Sequence, residues 1–188
     1  VAVRIDVRGL RGGHSGVNIH EGRGNAIKLL VRVLRQLENS APIRLSSLHG
    51  GTAKNALPRE ASATLAMPAS VAAEVGASLA KMQAVFRNEL AGVDDNVTLS
   101  VAPCELGSIL AEDEQAVWLR SLHAAPQGPR RMSVQVPGVV ETSVNLGIVS
   151  VDPEAGSCKF MVRSLVDRAG VELADEIVSL FALSGTDA

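Results

Sequence analysis

Histidine has the widest chemical range of the side chains in this sequence, since imidazole serves as metal ligand, general base or hydrogen-bond donor. None of the four histidines forms a His-x-Asp pair, and none lies four residues from another. The two cysteines are too far apart for a C-x-x-C half-site. The sequence therefore predicts no metal site within this chain, although it contains His14, His20, His49, His123, Cys104 and Cys158.

The loop of residues 12–16, with the sequence GGHSG, places His14 beside Ser15 after a predicted strand. Phosphate binding needs glycines that open a helix directly, and here about ten residues separate the loop from the next helical pattern. A Ser-His nucleophile is disfavoured because sequence neighbours seldom face each other. Either the glycines only supply turns and His14 is a solvated loop residue, or the loop presents His14 for a functional role.

Asn55 and Arg163 are two further candidates for binding. The Asn55 amide suits either the capping of a turn, which is the default, or a grip on a carbonyl or carboxylate group. Arg163 lies between Met161 and Leu165 on one face of a predicted strand. Its guanidinium either extends to solvent or pairs with a carboxylate, and both interpretations stay open at this level.

Composition excludes several classes of protein. The chain has 188 residues, 46% of them hydrophobic and 20% charged, with a net charge of -2, which is typical of a globular protein. This charge disfavours nucleic acid as a partner. No apolar run approaches the roughly 18 residues of a membrane span, and no secretion signal is evident. Two cysteines fit a reducing cytosol, and the near absence of aromatic residues predicts an aliphatic core.

The elements that must position these candidates follow a recognisable order. Alternation over residues 1–7 predicts a strand, and helical spacing over residues 27–37 predicts a helix. Two strands (43–48 and 60–67), a helix that Ser70 precedes (71–90) and a strand (97–101) follow. Residues 1–103 thus read strand, helix, strand, strand, helix, strand. This order predicts an α+β ferredoxin-like two-layer sandwich, an antiparallel sheet with helices on one face.

The second part of the chain repeats part of this order. A helix at Glu112–Ala124 leads through a Pro/Gly-rich loop (126–138) to strands at 139–151 and 158–167 and a helix at 173–181. We interpret the chain as two related halves, 1–103 and 104–188, the second lacking its final strand, with about seven strands in one or two abutting sheets. The start at Val1, inside a predicted strand, suggests a piece of a longer protein.

Several motifs together resemble the lid domain of bacterial Xaa-His dipeptidases, the aminoacyl-histidine dipeptidases or carnosinases. The resemblance runs from Val1 to about Asp187, in the same order and spacing. The motifs that carry it are GGHSGxxIH at 12–20, GNA at 24–26, GGT at 50–52, NAxPRE at 55–60, GVVETS at 138–143 and VRSL at 162–165.

The resemblance implies that these residues are the lid and dimerisation domain of a larger cytoplasmic enzyme. A catalytic domain absent here would hold two zinc ions, with a Glu as general base. The lid would close over a dipeptide: His14 would hydrogen-bond the scissile carbonyl and its developing oxyanion. Asn55 and Arg163 would hold the backbone and the free carboxylate of the substrate. The chain alone is expected to be inactive.

One position departs from the pattern of relatives with a single-unit lid. Their carboxylate-binding arginine ends the strand after the Asn-x-x-Pro loop, where this chain has Ala66 and Met67. The arginine stands in the second half instead, as Arg163, which resembles relatives whose doubled lid imitates a dimer within one chain. His14 then serves either its own subunit or a neighbour, and we expect a homodimer. His20 lies in a matched motif without an assigned role.

Two alternatives remain open from the sequence. One is a stand-alone ferredoxin-like module that binds a small ligand or regulates through dimerisation. The other is a related di-zinc exopeptidase, such as a tripeptidase, which differs only in its substrate. Trp118 is expected in the core, and Cys104 and Cys158 are expected to be buried thiols.

Overall fold

The computed structural model describes residues 1–186, which form four helices and nine strands. The helices are α1 (Ala26–Ser40), α2 (Ala69–Glu89), α3 (Glu112–Ala124) and α4 (Asp167–Leu183). The strands are β1 (Ala2–Arg8), β2 (Gly13–His14), β3 (Arg44–Gly50), β4 (Ala56–Leu57), β5 (Ala61–Ala66), β6 (Thr98–Pro103), β7 (Gly128–Met132), β8 (Val140–Val151) and β9 (Gly156–Ser164).

The first part of the sheet has the ferredoxin-like strand order. Its strands run β6-β1-β5-β3, and β1 pairs antiparallel with both β5 and β6. In β1 the apolar residues Val3, Ile5 and Val7 are buried, while the residues between them face outward. Because successive side chains point to opposite faces of a strand, this alternation gives β1 one hydrophobic face. The predicted α+β fold is confirmed.

Strand β8 extends this sheet into the second part of the chain. It pairs antiparallel with β3 through Leu48, His49 and Gly50, opposite Val151, Ser150 and Val149. Its first residues pair with β7, and β9 pairs along most of its length. Because β9 occupies one edge of β8, β3 and β7 share the other. Among the described residues, seven strands therefore form one continuous antiparallel sheet, with the β2-β4 ladder separate.

All four helices contribute to one core on the same face of the sheet. The core is aliphatic apart from two phenylalanines and two methionines, as the composition predicts. Phe181 of α4 packs against Phe160 of β9, with ring centroids 5.7 Å apart. Trp118 of α3 is partly buried and lies against Gly156, where a side chain would collide with the indole ring. One shared core lets the two parts of the sheet pack as a unit.

Five details of the structure differ from the predicted elements. The loop predicted over residues 126–138 contains β7, which forms by pairing with β8 although Pro129 and two arginines hide any strand pattern. Strand β9 ends at Ser164, and α4 begins at Asp167 rather than at residue 173. The cap of α2 is Pro68, so Ser70 lies inside that helix. The short β2-β4 ladder was not predicted.

Helix α1 is fixed at its start by two polar side chains. Asn25 is its N-cap, and the Asn25 Oδ1 atom accepts hydrogen bonds from the amides of Ile27 and Lys28. The half-buried Lys28 ammonium donates to the carbonyls of Leu122, His123 and Ala125 at 2.7, 2.8 and 2.7 Å. These carbonyls end α3, where a positive charge is favourable. Lys28 thus ties α1 to α3.

The pH dependence of stability provides a test of the Lys28 environment. Burial lowers the pKa of Lys28 from 10.5 to about 8. Between these values the unfolded chain binds more protons than the folded protein, so raising the pH favours folding. We expect the free energy of unfolding of the wild-type protein, relative to Lys28→Met, to rise from pH 8 to pH 10.5 in urea titrations.

Comparing the wild type with Lys28→Met cancels the opposite pH dependence of stability that Cys158 contributes. Burial raises the pKa of this thiol from 9.0 to about 11, so its contribution to stability is lost as the pH rises through that range. Both proteins retain Cys158, and their difference isolates Lys28. A difference that stays constant or falls with pH would contradict the assignment.

Candidate functional site

The loop between β1 and α1 carries His14 and is anchored at both ends by one carboxylate. Asp94, which is buried, accepts hydrogen bonds from the amides of Arg11 (2.6 Å) and Gly24 (2.7 Å). Inside the loop, the amide of His14 donates to Asn18 Oδ1 at 2.9 Å. Charge-assisted hydrogen bonds to backbone amides hold a loop more firmly than neutral ones. The loop is therefore a defined structure, although it contains little regular secondary structure.

The β2-β4 ladder brings His14 and Asn55 together. His14 is the register partner of Ala56, and the amide of Ser15 donates to the carbonyl of Asn55 at 2.9 Å. His14 and Asn55 both line an open cleft of about 540 Å³. Asn55 is exposed, and in the described part of the chain its amide forms no hydrogen bond that would cap a turn. Two of the three predicted site residues thus face one cleft.

Arg163 reaches the same loop from the second part of the sheet. On β9 it stands opposite Ser143 of β8, on the face of the sheet away from the helices. Its Nε atom donates to Ser15 Oγ at 3.3 Å, and its NH2 atom lies 3.5 Å from His14 Nε2. The ion pairs found among residues 1–186 involve other arginines. The guanidinium is therefore held beside His14 with charge available for a ligand.

The shorter of the two contacts of the His14 ring favours one tautomer. The amide of Gly16 donates to Nδ1 at 3.1 Å, so Nδ1 acts as an acceptor. A neutral imidazole then carries its hydrogen on Nε2. The 3.5 Å approach between Nε2 and the Arg163 guanidinium joins two donors, so it is a contact between groups that both need an acceptor. An oxygen atom placed between them would accept from both.

Gly16 makes this approach possible. A Cβ atom at this position would lie 3.1 Å from Arg163 Cδ and 3.2 Å from His14 Cε1. Contacts this short are tighter than ordinary van der Waals separations, so a side chain would displace the ring or the guanidinium. The glycine that follows Ser15 in the motif therefore has a steric role, and Ser15 is a buried support for Arg163.

A buried asparagine that the sequence analysis did not single out supports the Asn55 segment. Asn145 of β8 is fully buried, and its Nδ2 atom donates to the carbonyls of Lys54 (3.0 Å) and Ala56 (2.8 Å). Its sequence signal was a lone amide within the apolar run 144–149. Nearby, Asn25 Nδ2 donates to the carbonyl of Leu146 at 2.9 Å. Strand β8 thus contacts both loops that carry the candidate residues.

Backbone packing fixes the same segment from a second direction. A Cβ atom on Gly147 would lie 2.6 Å from the carbonyl oxygen and 2.7 Å from the Cα atom of Lys54. Gly51, with a φ of +72°, approaches the carbonyl of Gly147 so closely that no other residue fits there. The loop that precedes Asn55 therefore lies directly against β8.

The cleft also contains charged residues outside the predicted set. Arg11 and Arg59 line it together with Glu60, and all three are exposed. The stem of Arg59 lies over Gly12, where any side chain would collide with it. Two arginines and one glutamate leave this wall positively charged, which suits an anionic ligand group.

The other titratable candidates lie in structural settings. His20 is exposed in the loop, and His49 Nδ1 lies 3.2 Å from the Ser150 hydroxyl across β3 and β8. Burial, with the nearby charge of Lys28, lowers the pKa of His123. Cys104 and Cys158 are half-buried rather than fully buried.

Among residues 1–186, no group of three or more His, Cys, Asp and Glu side chains is arranged to hold a metal ion. Within the same residues, no helix combines the length and the hydropathy needed to cross a bilayer.

The sequence and the fold of this chain are similar to parts of known peptidases. Residues 5–94 match the family described as peptidase dimerisation domain. The chain is 37% identical over 185 residues to the cytosol non-specific dipeptidase of Escherichia coli (strain K12), across 97% of this chain and 38% of that protein. The aminoacylhistidine dipeptidase of Vibrio alginolyticus superimposes with a TM-score of 0.94 at 32% identity, over 98% of this chain and 38% of that one.

These matches confirm the resemblance that the motifs predict. Residues 5–94 carry the match to the peptidase dimerisation domain, and the chain as a whole is homologous to the two dipeptidases. It spans 38% of the length of each relative.

Replacing Gly147 tests whether the loop that precedes Asn55 packs directly against β8. We expect Gly147→Ala to lower the free energy of unfolding by about 1 to 3 kcal/mol, the usual cost of inserting atoms into a tightly packed site. Thermal and urea unfolding would measure it. The matched control is Gly76→Ala on α2, where a Cβ atom meets nothing within 4 Å and helix propensity predicts a gain of about 0.5 to 1 kcal/mol. Equal effects at the two glycines would contradict the packing.

Proposed function

We propose that residues 1–188 are the lid and dimerisation domain of a metal-dependent dipeptidase that hydrolyses Xaa-His dipeptides. The observation that carries this proposal is the convergence of His14 and Arg163, two donors without an acceptor between them, next to the cleft that contains Asn55. The names of the two relatives support a dipeptide as substrate. One relative is an aminoacylhistidine dipeptidase, which supports histidine as the second residue.

In this proposal His14 stabilises the oxygen that becomes negative during hydrolysis. The Nε2 proton points toward the space beside Arg163, and the Gly16 amide keeps it on that nitrogen. A donor fixed before the reaction stabilises developing charge without reorganisation, which is the basis of an oxyanion hole. Ser15 and the β2-β4 ladder keep the histidine in place. The role of His14 is thus that of a hydrogen-bond donor.

Arg163 and Asn55 hold the other polar groups of the substrate. A guanidinium presents two parallel N–H groups that match a carboxylate, so Arg163 selects a free C-terminal carboxylate. A dipeptide places that carboxylate one residue from the scissile bond, and a longer peptide does not. Asn55 offers both donors and acceptor to the peptide backbone. Because Arg163 contacts His14 within one chain, both residues act on the same substrate.

The described residues of this chain do not supply a set of ligands for the zinc ions of the proposed enzyme. The described part of the chain provides no cluster of metal ligands, so the ligands and the general base lie in the remainder of the longer protein. Zinc held there would supply an activated water and would polarise the scissile carbonyl. The residues of this chain close the site, orient the dipeptide and donate hydrogen bonds. On its own, the chain is inactive.

The proposal extends to domain organisation, assembly and location. The order helix, strand, strand, helix occurs in α1-β3-β5-α2, with the short β4 inserted, and in α3-β8-β9-α4, with β7 inserted, which supports two related halves, 1–103 and 104–188. A homodimer is supported by the description of the matched family. Since β8 and α3 already cover β3 and α1, the dimer uses another surface. The name of the Escherichia coli relative supports a cytoplasmic location.

Substitution of His14 in the full-length enzyme tests the oxyanion role. We expect His14→Ala to lower kcat by roughly 10² to 10³ while zinc content stays unchanged, because one preorganised donor is lost. Steady-state kinetics with alanyl-histidine and metal analysis would measure both. The control is His20→Ala in the same loop, which should leave kcat unaltered. An unchanged kcat in His14→Ala would remove His14 from the mechanism.

Substitution of Arg163 tests recognition of the free carboxylate. We expect Arg163→Lys to raise KM for alanyl-histidine about tenfold or more, because an ammonium cannot pair with both carboxylate oxygens in fixed geometry. The matching measurement uses the amidated analogue, for which the variant and the wild type should differ little. A preference for free over amidated dipeptide that survives the substitution would count against this role.

A further inference from the structure

Asn145 contacts the Asn55 segment at two symmetrical points. The two carbonyls that accept from its amide belong to Lys54 and Ala56, the residues on either side of Asn55. Asn145 has no exposed surface, and the two hydrogen bonds are partly buried. A pair of hydrogen bonds from one buried side chain that flank one residue restricts both its position and its orientation.

The remaining polar atom of Asn145 is also engaged. Its Oδ1 atom accepts from Gln127 Nε2 at 3.3 Å, and Gln127 Oε1 in turn accepts from the amide of Leu146 at 2.7 Å. Only a carboxamide provides two donors and one acceptor in this arrangement. An aspartate would place negative charge against two carbonyl oxygens, and an apolar residue would leave both carbonyls without a donor.

The strand that carries Asn145 also sets the position of Arg163. Ser143, two residues earlier on β8, is the register partner of Arg163, and Asn145 is the partner of Met161 on the same face. One strand therefore determines where the Asn55 loop and the arginine stand relative to each other.

We propose that Asn145 is a positioning residue for substrate binding, acting through Asn55; this rests on the proposed function, in which Asn55 contacts the dipeptide. Loss of its two hydrogen bonds lets the segment 54–56 move away from β8, while Asp94 still anchors the His14 loop and the pairing of β9 with β8 still holds Arg163. A displacement of about 1 Å at a substrate-positioning group lowers the rate by up to about 10².

The test is a double-substitution cycle in the full-length enzyme, with alanyl-histidine as substrate. We expect Asn145→Leu to lower kcat/KM about tenfold or more, and Asn55→Ala to lower it by a similar factor. The double variant should be no worse than the poorer single variant, because a residue that acts through Asn55 has no effect once Asn55 is gone.

The matched control is Gln115→Met. Gln115 is another buried carboxamide, which accepts from the amide of Leu45 at 2.7 Å and donates to the carbonyl of Ile43 at 3.3 Å. Its loss should lower stability as the loss of Asn145 does, and leave kcat/KM within about twofold of the wild type. Equal kinetic losses in the two variants would show that general destabilisation is the cause, and would overturn the proposal.

The other outcomes separate the two hypotheses. An unchanged kcat/KM in Asn145→Leu, with Asn55→Ala impaired, overturns the role of Asn145 and leaves the proposed function intact. Independent, multiplicative losses in the double variant also overturn it. An unchanged kcat/KM in Asn55→Ala removes Asn55 from the proposed function and, with it, the positioning role.

A milder variant covers the case in which Asn145→Leu does not fold. Gln127→Met removes the hydrogen bond to Asn145 Oδ1 and the one from the Leu146 amide, and leaves both donors of Asn145 in place. We expect a loss of about fivefold in kcat/KM, equivalent to one neutral hydrogen bond, and this loss should vanish in the Asn55→Ala background. A loss that persists in that background would overturn the proposal.

Discussion

Three residue pairs between β3 and β8 join the two parts of the sheet, and the candidate site depends on this short pairing. The first part supplies His14 and Asn55 on loops, while the second supplies Arg163 on β9. Without the pairing, no local contact would bring residues 14 and 163 within hydrogen-bonding range. The shared core and the Lys28 contacts to the end of α3 reinforce the same junction on the helical side.

The loops at this junction are held by buried polar groups. Asp94 anchors both ends of the His14 loop, Asn145 holds the segment around Asn55, and Asn25 links the start of α1 to β8. Loops that carry function lack a regular ladder, so their backbone groups need partners from elsewhere. Buried side-chain amides and carboxylates provide such partners. Removing the partner of one of these buried groups destabilises the fold, because the group is left without a hydrogen bond. The precision of the site thus comes from these few residues.

The sequence was sufficient to predict the elements that local periodicity determines. It was insufficient for those that depend on pairing between strands distant in the chain. Alternation in β1 and the amphipathic pattern of α1 arise from a single buried face, so they are visible locally. Strand β7, with Pro129 and consecutive arginines, exists because β8 offers it an edge, and no local pattern reports that. His14, Asn55 and Arg163 were singled out through motifs. Asn145 was missed because the sequence of a strand does not show which groups a buried amide contacts.

The contact between His14 and Arg163 has a physical consequence for binding. Two donors 3.5 Å apart offer each other no acceptor, and in the exposed setting of His14 this leaves both of them free to bind an oxygen atom from solvent or ligand. The fold maintains them there through Gly16, Ser15 and the pairing of β9 with β8. An oxygen atom of a ligand that enters between the two donors would accept a hydrogen bond from each, so the donors are already placed before a ligand binds.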